Sequence, residues 1–355
     1  MADWSKADWI DPEHPWSNPL PVPAMPERLL VDFATRCNLR CPMCPVWGSD
    51  DERAIDSVAG IMTKENATKL LDEVMETQPM VAPSLYGEPL LIPKLKEVFQ
   101  DLKRRNLPLV LNSNGLTLTD DIAQFFVDIK LDSIMFSLDS TTKETLKKVR
   151  GVDKLEKIER NVHRMLRVRG DSPYPRVGVS YTVQEDNEHE VEDFAKRWVG
   201  VVDVVRIGLV FDSKTGMFPE MKVSGERKPC PALYKTLPVH NDGTAPLCCL
   251  DGFRASNMGN VFSDGVAGVW HGEEFAKARY YHETAQWDKV PFCKSCNGWA
   301  EYDYEEEIQD GILIRKSPQY IYYNKIDRLA NWQGRLLGGH EPPPEELLQK
   351  VDAKG

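Results

Sequence analysis

Cys37-Asn38-Leu39-Arg40-Cys41-Pro42-Met43-Cys44 is the stretch on which the reading of the fold turns. Its three cysteines, in C-x3-C-x2-C spacing, follow directly on an apolar run, Leu29–Phe33, that reads as a β-strand. Three thiolates can hold three irons of a [4Fe–4S] cube and leave the fourth iron without a protein ligand. An open iron is a place for chemistry. The alternative is a zinc knuckle whose fourth ligand lies elsewhere. Zinc sites usually pair C-x2-C with a second such pair or with histidines, and no histidine stands near these three.

Outward from this stretch, short apolar runs alternate with amphipathic helical patterns as far as Phe211. The expected strands after Leu29–Phe33 are Val81–Leu85, Pro108–Asn112, Ser133–Ser137, Val177–Val183 and Val204–Leu209. Between them run helical stripes: Leu95, Val98, Phe99 and Leu102; then Ile122, Phe125, Phe126 and Ile129 behind Thr119 as N-cap; then Val191, Phe194, Ala195 and Trp198. Six strands, each followed by a helix where the pattern is legible, indicate a parallel α/β sheet. Periodicity alone leaves both an open doubly wound sheet and a partial barrel open. In either, ligands sit at the C-terminal ends of the strands.

Short polar motifs stand at those ends. After the second strand comes Tyr86-Gly87-Glu88-Pro89, after the third Asn112-Ser113-Asn114-Gly115, and after the fourth Ser137-Leu138-Asp139, with Arg150-Gly151 following. Each alone is weak; their order along successive strands is the signal. With the cysteine triplet, these motifs resemble the radical S-adenosylmethionine (SAM) superfamily, in which Met43 takes the place of the usual aromatic and Tyr86 that of a glycine. The resemblance implies a partial (β/α)6 barrel, with Cys37, Cys41 and Cys44 holding a [4Fe–4S] cluster. It gives Gly87, Glu88 and Pro89 to the segment that binds the SAM amino group, and Asn114 to a Thr-Asn-Gly-like turn. Ser137 and Asp139 approach the SAM ribose, and Arg150 pairs with the SAM carboxylate. Its chemistry is one-electron cleavage of SAM and removal of hydrogen from a substrate C–H bond.

The remaining cysteines are Cys230, Cys248, Cys249, Cys293 and Cys296. Four thiolates of such a set can hold zinc or a complete iron–sulfur cluster. The spacing, with Asp242-Gly243, Met258-Gly259-Asn260 and Val269-Trp270 between, resembles the SPASM/twitch extension of radical SAM enzymes. Fewer cysteines than in a full SPASM domain imply the shorter twitch form, with one auxiliary [4Fe–4S] cluster on Cys230, Cys248, Cys293 and Cys296. Cys249 is left over. It reads as a small buried residue or an alternative ligand, or as the thiol that gives hydrogen to a substrate radical in an epimerase. The polar stretch Asp212–Lys228 marks a boundary, dividing the chain into an N-terminal extension (1–27), the barrel (28–215), the auxiliary-cluster domain (216–300) and a C-terminal extension (301–355). Within the last, acidic Asp303–Asp310 reads as a solvated turn or helix face, and the tail from Gln333 as partly disordered.

A net charge of −11 over 355 residues argues against a nucleic-acid or anionic-membrane partner. The N-terminus has no signal pattern and no run reaches the length of a membrane span, so the expected location is cytoplasmic. Only about 27 residues precede the first strand, which disfavours a leader-binding domain and a peptide- or protein-modifying maturase. The reading is dehydrogenation or epimerisation of a carbohydrate-like small molecule, with flavodoxin or ferredoxin as electron donor. A non-catalytic iron–sulfur or zinc protein is the rival from another class. Candidate substrate residues are Gln184, Glu185, Asn187, Arg206, Asp212, Asp251 and Arg254, and Trp47 could pack over the first cluster.

Overall fold

A computed structural model of the chain describes residues 22–329. Its strands are β1 (Arg28–Val31), β2 (Ala34–Thr35), β3 (Gly60–Ile61), β4 (Met80–Ala82), β5 (Val110–Ser113), β6 (Ser133–Ser137), β7 (Arg176–Val183), β8 (Val204–Leu209), β9 (Thr236–Val239), β10 (Glu305–Gln309), β11 (Ile312–Lys316) and β12 (Tyr320–Lys325). The helices are α1 (Glu52–Val58), α2 (Lys64–Val74), α3 (Leu95–Arg104), α4 (Asp120–Asp128), α5 (Lys143–Arg150), α6 (Leu155–Arg169), α7 (Val191–Trp198), α8 (Ala232–Lys235), α9 (Val261–Trp270) and α10 (Glu273–Glu283).

The six expected strands are β1, β4, β5, β6, β7 and β8. All run parallel, β1 with β4 and β5 through β8 in order. A bridge between Val81 and Leu109 joins the two sheets, so the strands form one curved wall that does not close. Two strands end earlier than expected, β4 by three residues and β1 by two. Pro83, with no N–H to give, follows directly on the last residue of β4. Asp32 leaves the β1 ladder to point its carboxylate at the next loop.

The three helical stripes form as read. In α4 the Thr119 hydroxyl accepts the Ile122 N–H, Asp120 and Asp121 sit at the positive end of the helix dipole, and Phe125 and Phe126 are buried. Leu95, Phe99 and Leu102 bury the inner face of α3, and Phe194 and Trp198 that of α7.

Both edges of the wall are covered by later chain. β9 pairs parallel with β1, a strand that went unread because Pro238 sits inside it; proline is tolerated at a sheet edge. At the other edge β12 pairs antiparallel with β8 and carries β11 and β10. The acidic Asp303–Asp310 run is therefore neither turn nor helix face. It is largely the outermost strand β10, turned back by Asp310-Gly311, both at positive φ, as a two-residue hairpin turn requires. The tail from Gln333 lies outside the described residues. Among these no helix is long and apolar enough to cross a membrane.

Candidate active site

The loop that follows β2 carries the three cysteines to the C-terminal ends of the parallel strands. Its shape is set by backbone: the Cys44 N–H donates to Cys41 O at 2.9 Å and the Gly48 N–H to Cys44 O at 3.0 Å. Two N–H groups turn on sulfur, Leu39 on Cys37 Sγ at 3.4 Å and Trp47 on Cys44 Sγ at 3.3 Å. Such donors stabilise negative charge on thiolates, as ligation to iron requires. Gly48 closes the loop where a Cβ would lie 2.4 Å from Cys41 O, 2.7 Å from Cys44 O and 2.8 Å from Pro42 O. Burial pushes the Cys37 thiol up to about 11, and raises Cys41 against the pull of the Arg150 guanidinium. These thiols are built for a cation to take the place of their protons.

The loop walls a cavity of about 320 Å³. Cys37, Cys41, Cys44, Gly87, Glu88, Asn114, Ser137 and Arg150 all line it, so eight residues read separately from sequence share one space. Glu88 is 4% exposed, and its carboxylate ties the loop after β4 to the end of β5. Oε1 accepts from Ser113 Oγ at 2.6 Å and the Leu90 N–H at 3.1 Å, and Oε2 from the Asn114 N–H at 2.7 Å. Burial pushes this carboxyl above its ordinary range, and those hydrogen bonds hold it down. Pro89 starts the short turn that Glu88 caps. A Cβ at Gly87 would meet Ala34 O at 2.1 Å, so glycine lets this loop lie against the start of the cysteine loop.

Asp139 does not line the cavity. It is wholly buried, accepts the Thr182 N–H at 2.7 Å and ion-pairs with Arg150 at 2.6 Å. Its place is behind Arg150, whose other side faces Cys41 Sγ at 4.0 Å.

Cys230, Cys248, Cys249, Cys293 and Cys296 gather on loops beyond β8, and all are free thiols. Four of them act electrostatically on another of the set: Cys230 on Cys248, Cys293 and Cys296 on Cys230, and Cys249 on Cys296. Among the described residues no three Cys, His, Asp or Glu side chains converge as ligands of a single metal ion. Cys248 and Cys249 share a hydrogen bond that raises Cys248 and lowers Cys249. Burial lifts Cys293 to about 12.

Tyr86 joins the two groups. Its carbonyl accepts Trp47 Nε1–H at 2.8 Å and its hydroxyl donates to Cys249 O at 2.7 Å. Sequence reasoning noted Tyr86 only as a substitution and missed its span. It also missed Asp32, whose Oδ1 accepts the N–H groups of Leu85, Tyr86 and Gly87 and shapes the loop from below. The available signal was an aspartate inside the apolar run Leu29–Phe33, where burial demands several donors.

Of the candidate substrate residues, five are used or turned away. Asn187 is fully buried and donates to Asp139 O and Thr182 O. Asp251 holds Ala255 and Ser256, Asp212 holds Lys214 and Thr215, Arg254 pairs with Asp242, and Glu185 is exposed. Gln184 reaches Met43 Sδ at 3.7 Å beside the cysteine loop, and Arg206 faces the barrel interior.

A cysteine-triplet cavity at the mouth of a parallel partial barrel, with a second thiol group beside it, defines an iron–sulfur, SAM-dependent class of protein. Family models agree: the Radical SAM superfamily matches residues 31–197, and SPASM, an iron–sulfur cluster-binding domain, residues 230–297. The chain belongs to the radical SAM superfamily and carries a C-terminal SPASM-type domain. Its cofactors are accordingly a [4Fe–4S] cluster with SAM, and auxiliary iron–sulfur in the SPASM domain.

Among curated relatives, the "Tungsten-containing aldehyde ferredoxin oxidoreductase cofactor-modifying protein" of Pyrococcus furiosus is 27% identical over 174 residues, 47% of this chain and 47% of that protein. The "GTP 3',8-cyclase" of Microcystis aeruginosa is 31% identical over 192 residues, 51% of this chain and 56% of that one. The matches thus span about half the length of these relatives. Among solved structures, Streptococcus suis SuiB bound to precursor peptide SuiA superposes with a TM-score of 0.57 at 12% identity, covering 73% of this chain and 67% of that one. The anSMEcpe structure with bound AdoMet gives 0.55 at 15%, covering 77% and 86%. At such identity the likeness is one of fold.

Proposed function

We propose that this chain uses SAM to remove a hydrogen atom from a C–H bond of a carbohydrate-like small molecule, and so dehydrogenates or epimerises it at a carbinol carbon. The observation that carries the reading is the shared cavity, in which the cysteine loop, Glu88, Asn114, Ser137 and Arg150 face one another while Tyr86 reaches Cys249. Cys37, Cys41 and Cys44 would hold the first cluster, and Cys230, Cys248, Cys293 and Cys296 the auxiliary one. When bound, these groups supply an electron that splits SAM into methionine and a 5′-deoxyadenosyl radical, and an acceptor for an electron from the substrate.

The chain's own residues do the rest. Glu88 presents a carboxylate held by three donors, suited to an ammonium group, and Arg150 presents a guanidinium fixed by Asp139, suited to a carboxylate. The apolar walls at Leu39, Met43 and Trp47 keep water from the reacting atoms. Cys249, one residue from a ligand and tied to Tyr86, would return a hydrogen atom to the substrate if the outcome is epimerisation.

The test is anaerobic: reconstituted protein, SAM and dithionite, with iron content and 5′-deoxyadenosine measured against panels of sugars, aminocyclitols and peptides. About eight irons per chain and release stimulated by sugars or aminocyclitols are expected. Stimulation by peptides alone would replace the substrate class, and zinc without SAM cleavage would remove the enzyme. In deuterated solvent an epimerase would carry deuterium into its product, and Cys249→Ala would abolish that product with both clusters intact.

A further inference from the structure

Arg206 shares one level of the sheet with residues of known position. The register sets Ser137 of β6 beside Ser180 of β7, Ser180 beside Arg206 of β8, and Arg206 beside Tyr322 of β12. Ser180 Oγ donates to Ser137 Oγ, and Ser137 lines the cysteine cavity, so this face of the wall is the interior one. Val204, two residues before Arg206, packs inside with Met80, Val110 and Met135, which confirms the alternation. One strand, β7, lies between Ser137 and Arg206, so they stand two strand spacings apart, about 10 Å across the sheet. Beyond β8, Glu301, five residues past Cys296, acts electrostatically on Arg206 and on Cys249 alike.

The guanidinium is held by the hydroxyls of Tyr320 and Tyr322, and among the described residues its charge is not neutralised by a carboxylate. It lies over the Tyr320 ring at 4.2 Å. Gly208 makes room for that ring, since a Cβ there would stand 2.5 Å from it. A cation–π contact of this kind holds an arginine in place, and a guanidinium has five donors, more than two tyrosine hydroxyls use, so donors are left for an oxyanion. The buried arginines are committed, Arg169 and Arg315 to Asp203 and Glu306, Arg176 to Asn324, and Arg279 to the carbonyls of Leu233 and Trp270, as is half-buried Arg150 to Asp139. Among the described residues no carboxylate lies within ion-pair distance of Arg206, and its Nε is buried without a hydrogen-bond partner. A cation held in such a place is stabilised by whatever anion enters beside it.

We infer that Arg206, held over the Tyr320 ring, anchors an oxyanion of the substrate, a carboxylate or a phosphate ester, between the SAM cavity and the auxiliary cysteines. The inference rests on the proposed function, which puts the substrate in that space, and adds to it that the carbohydrate-like molecule is anionic.

The test titrates glucose, glucuronate, glucose 6-phosphate and inorganic phosphate into the reconstituted full-length protein with SAM present, by calorimetry. At least one anion should bind about tenfold or more tighter than glucose and weaken with added salt. Glucuronate against glucose 6-phosphate decides carboxylate or phosphate. In Arg206→Gln the preference should vanish, and Arg206→Lys, a charge without the fork, should keep only part of it. Iron content and a melting curve check each variant. If R206Q does not fold, R206K decides, with unchanged anion affinity overturning the anchor. Equal binding of glucose and all three anions by the wild type, or undiminished anion binding by R206Q, also overturns it. Release of 5′-deoxyadenosine by the wild type reports separately on the radical reading, so the two can fail independently.

Discussion

At Gly48 one missing methyl group decides whether the cysteine loop can close. Three carbonyl oxygens, from Cys41, Pro42 and Cys44, crowd the position a Cβ would take, and all are backbone with no freedom to swing aside. Gly48→Ala should therefore displace the first cluster loop and leave the other thiols untouched, cutting bound iron from about eight to about four per chain. Iron and sulfide analysis with electron paramagnetic resonance would show which cluster is lost. At the same scale, Arg150→Ala leaves the wholly buried Asp139 carboxylate with only the Thr182 N–H, and should cost about 3–5 kcal/mol in a denaturant melt. The cysteine triplet, Glu88 and Arg150 were legible as residues because their types and order are chemical requirements. That Asp139 supports Arg150 rather than facing the cavity was not, since the same Ser-Leu-Asp string is compatible with either direction of the side chain.

Among the elements, α5 shows how a helix start is fixed by a group far along the chain. Glu190 accepts from the Thr141 N–H and from the hydroxyls of Thr142 and Thr145 at 2.6 Å each. Burial opposes its charge, but those hydrogen bonds win and hold its carboxyl below the ordinary glutamate range. Its stabilising effect is then complete above the unfolded pKa of about 4.3 and is lost as pH falls through the lower folded value. Glu190→Gln should cost about 1.5–3 kcal/mol at pH 7, a gap that narrows below about pH 4, as urea melts across pH would show. Helices α3, α4 and α7 were readable because each buries its own stripe. Strands β9 and β10 were not, because Pro238 in one and the glutamates of the other look wrong for a strand until an edge position is known.

At the scale of the whole molecule, the buried core runs on across the polar stretch Asp212–Lys228. The residues after Lys228 send β9 back to pair with β1, and Leu233, Leu237, Val261 and Trp270 belong to the same buried core as Leu29, Phe99 and Phe136. Glu73 of α2 accepts from the N–H groups of Val266 and Ala267 in α9, a further tie between the two regions. A single cooperative unfolding transition is expected for the full chain, with calorimetric and van't Hoff enthalpies equal; two resolved transitions would show independent domains. Tyr86 is the corresponding link between the two thiol groups, and Tyr86→Phe removes one hydrogen bond, the one to Cys249 O. Its expected mark is a changed resonance signal from the auxiliary cluster at about 1 kcal/mol of stability.

The amino-acid sequence by itself determined the class of chemistry. Thiol spacing, strand-end motifs and short apolar runs are local, and each constrains what a few neighbouring residues can do. It also determined the six parallel strands, because the apolar runs alternate with helical stripes. Only the tertiary structure decided what meets across the chain: β9 on one edge of the wall, β12 on the other, Tyr86 against Cys249, and Arg206 over Tyr320 in the interior. Those contacts join residues tens to hundreds of positions apart, so strand register and close packing, rather than any string of residue types, set them.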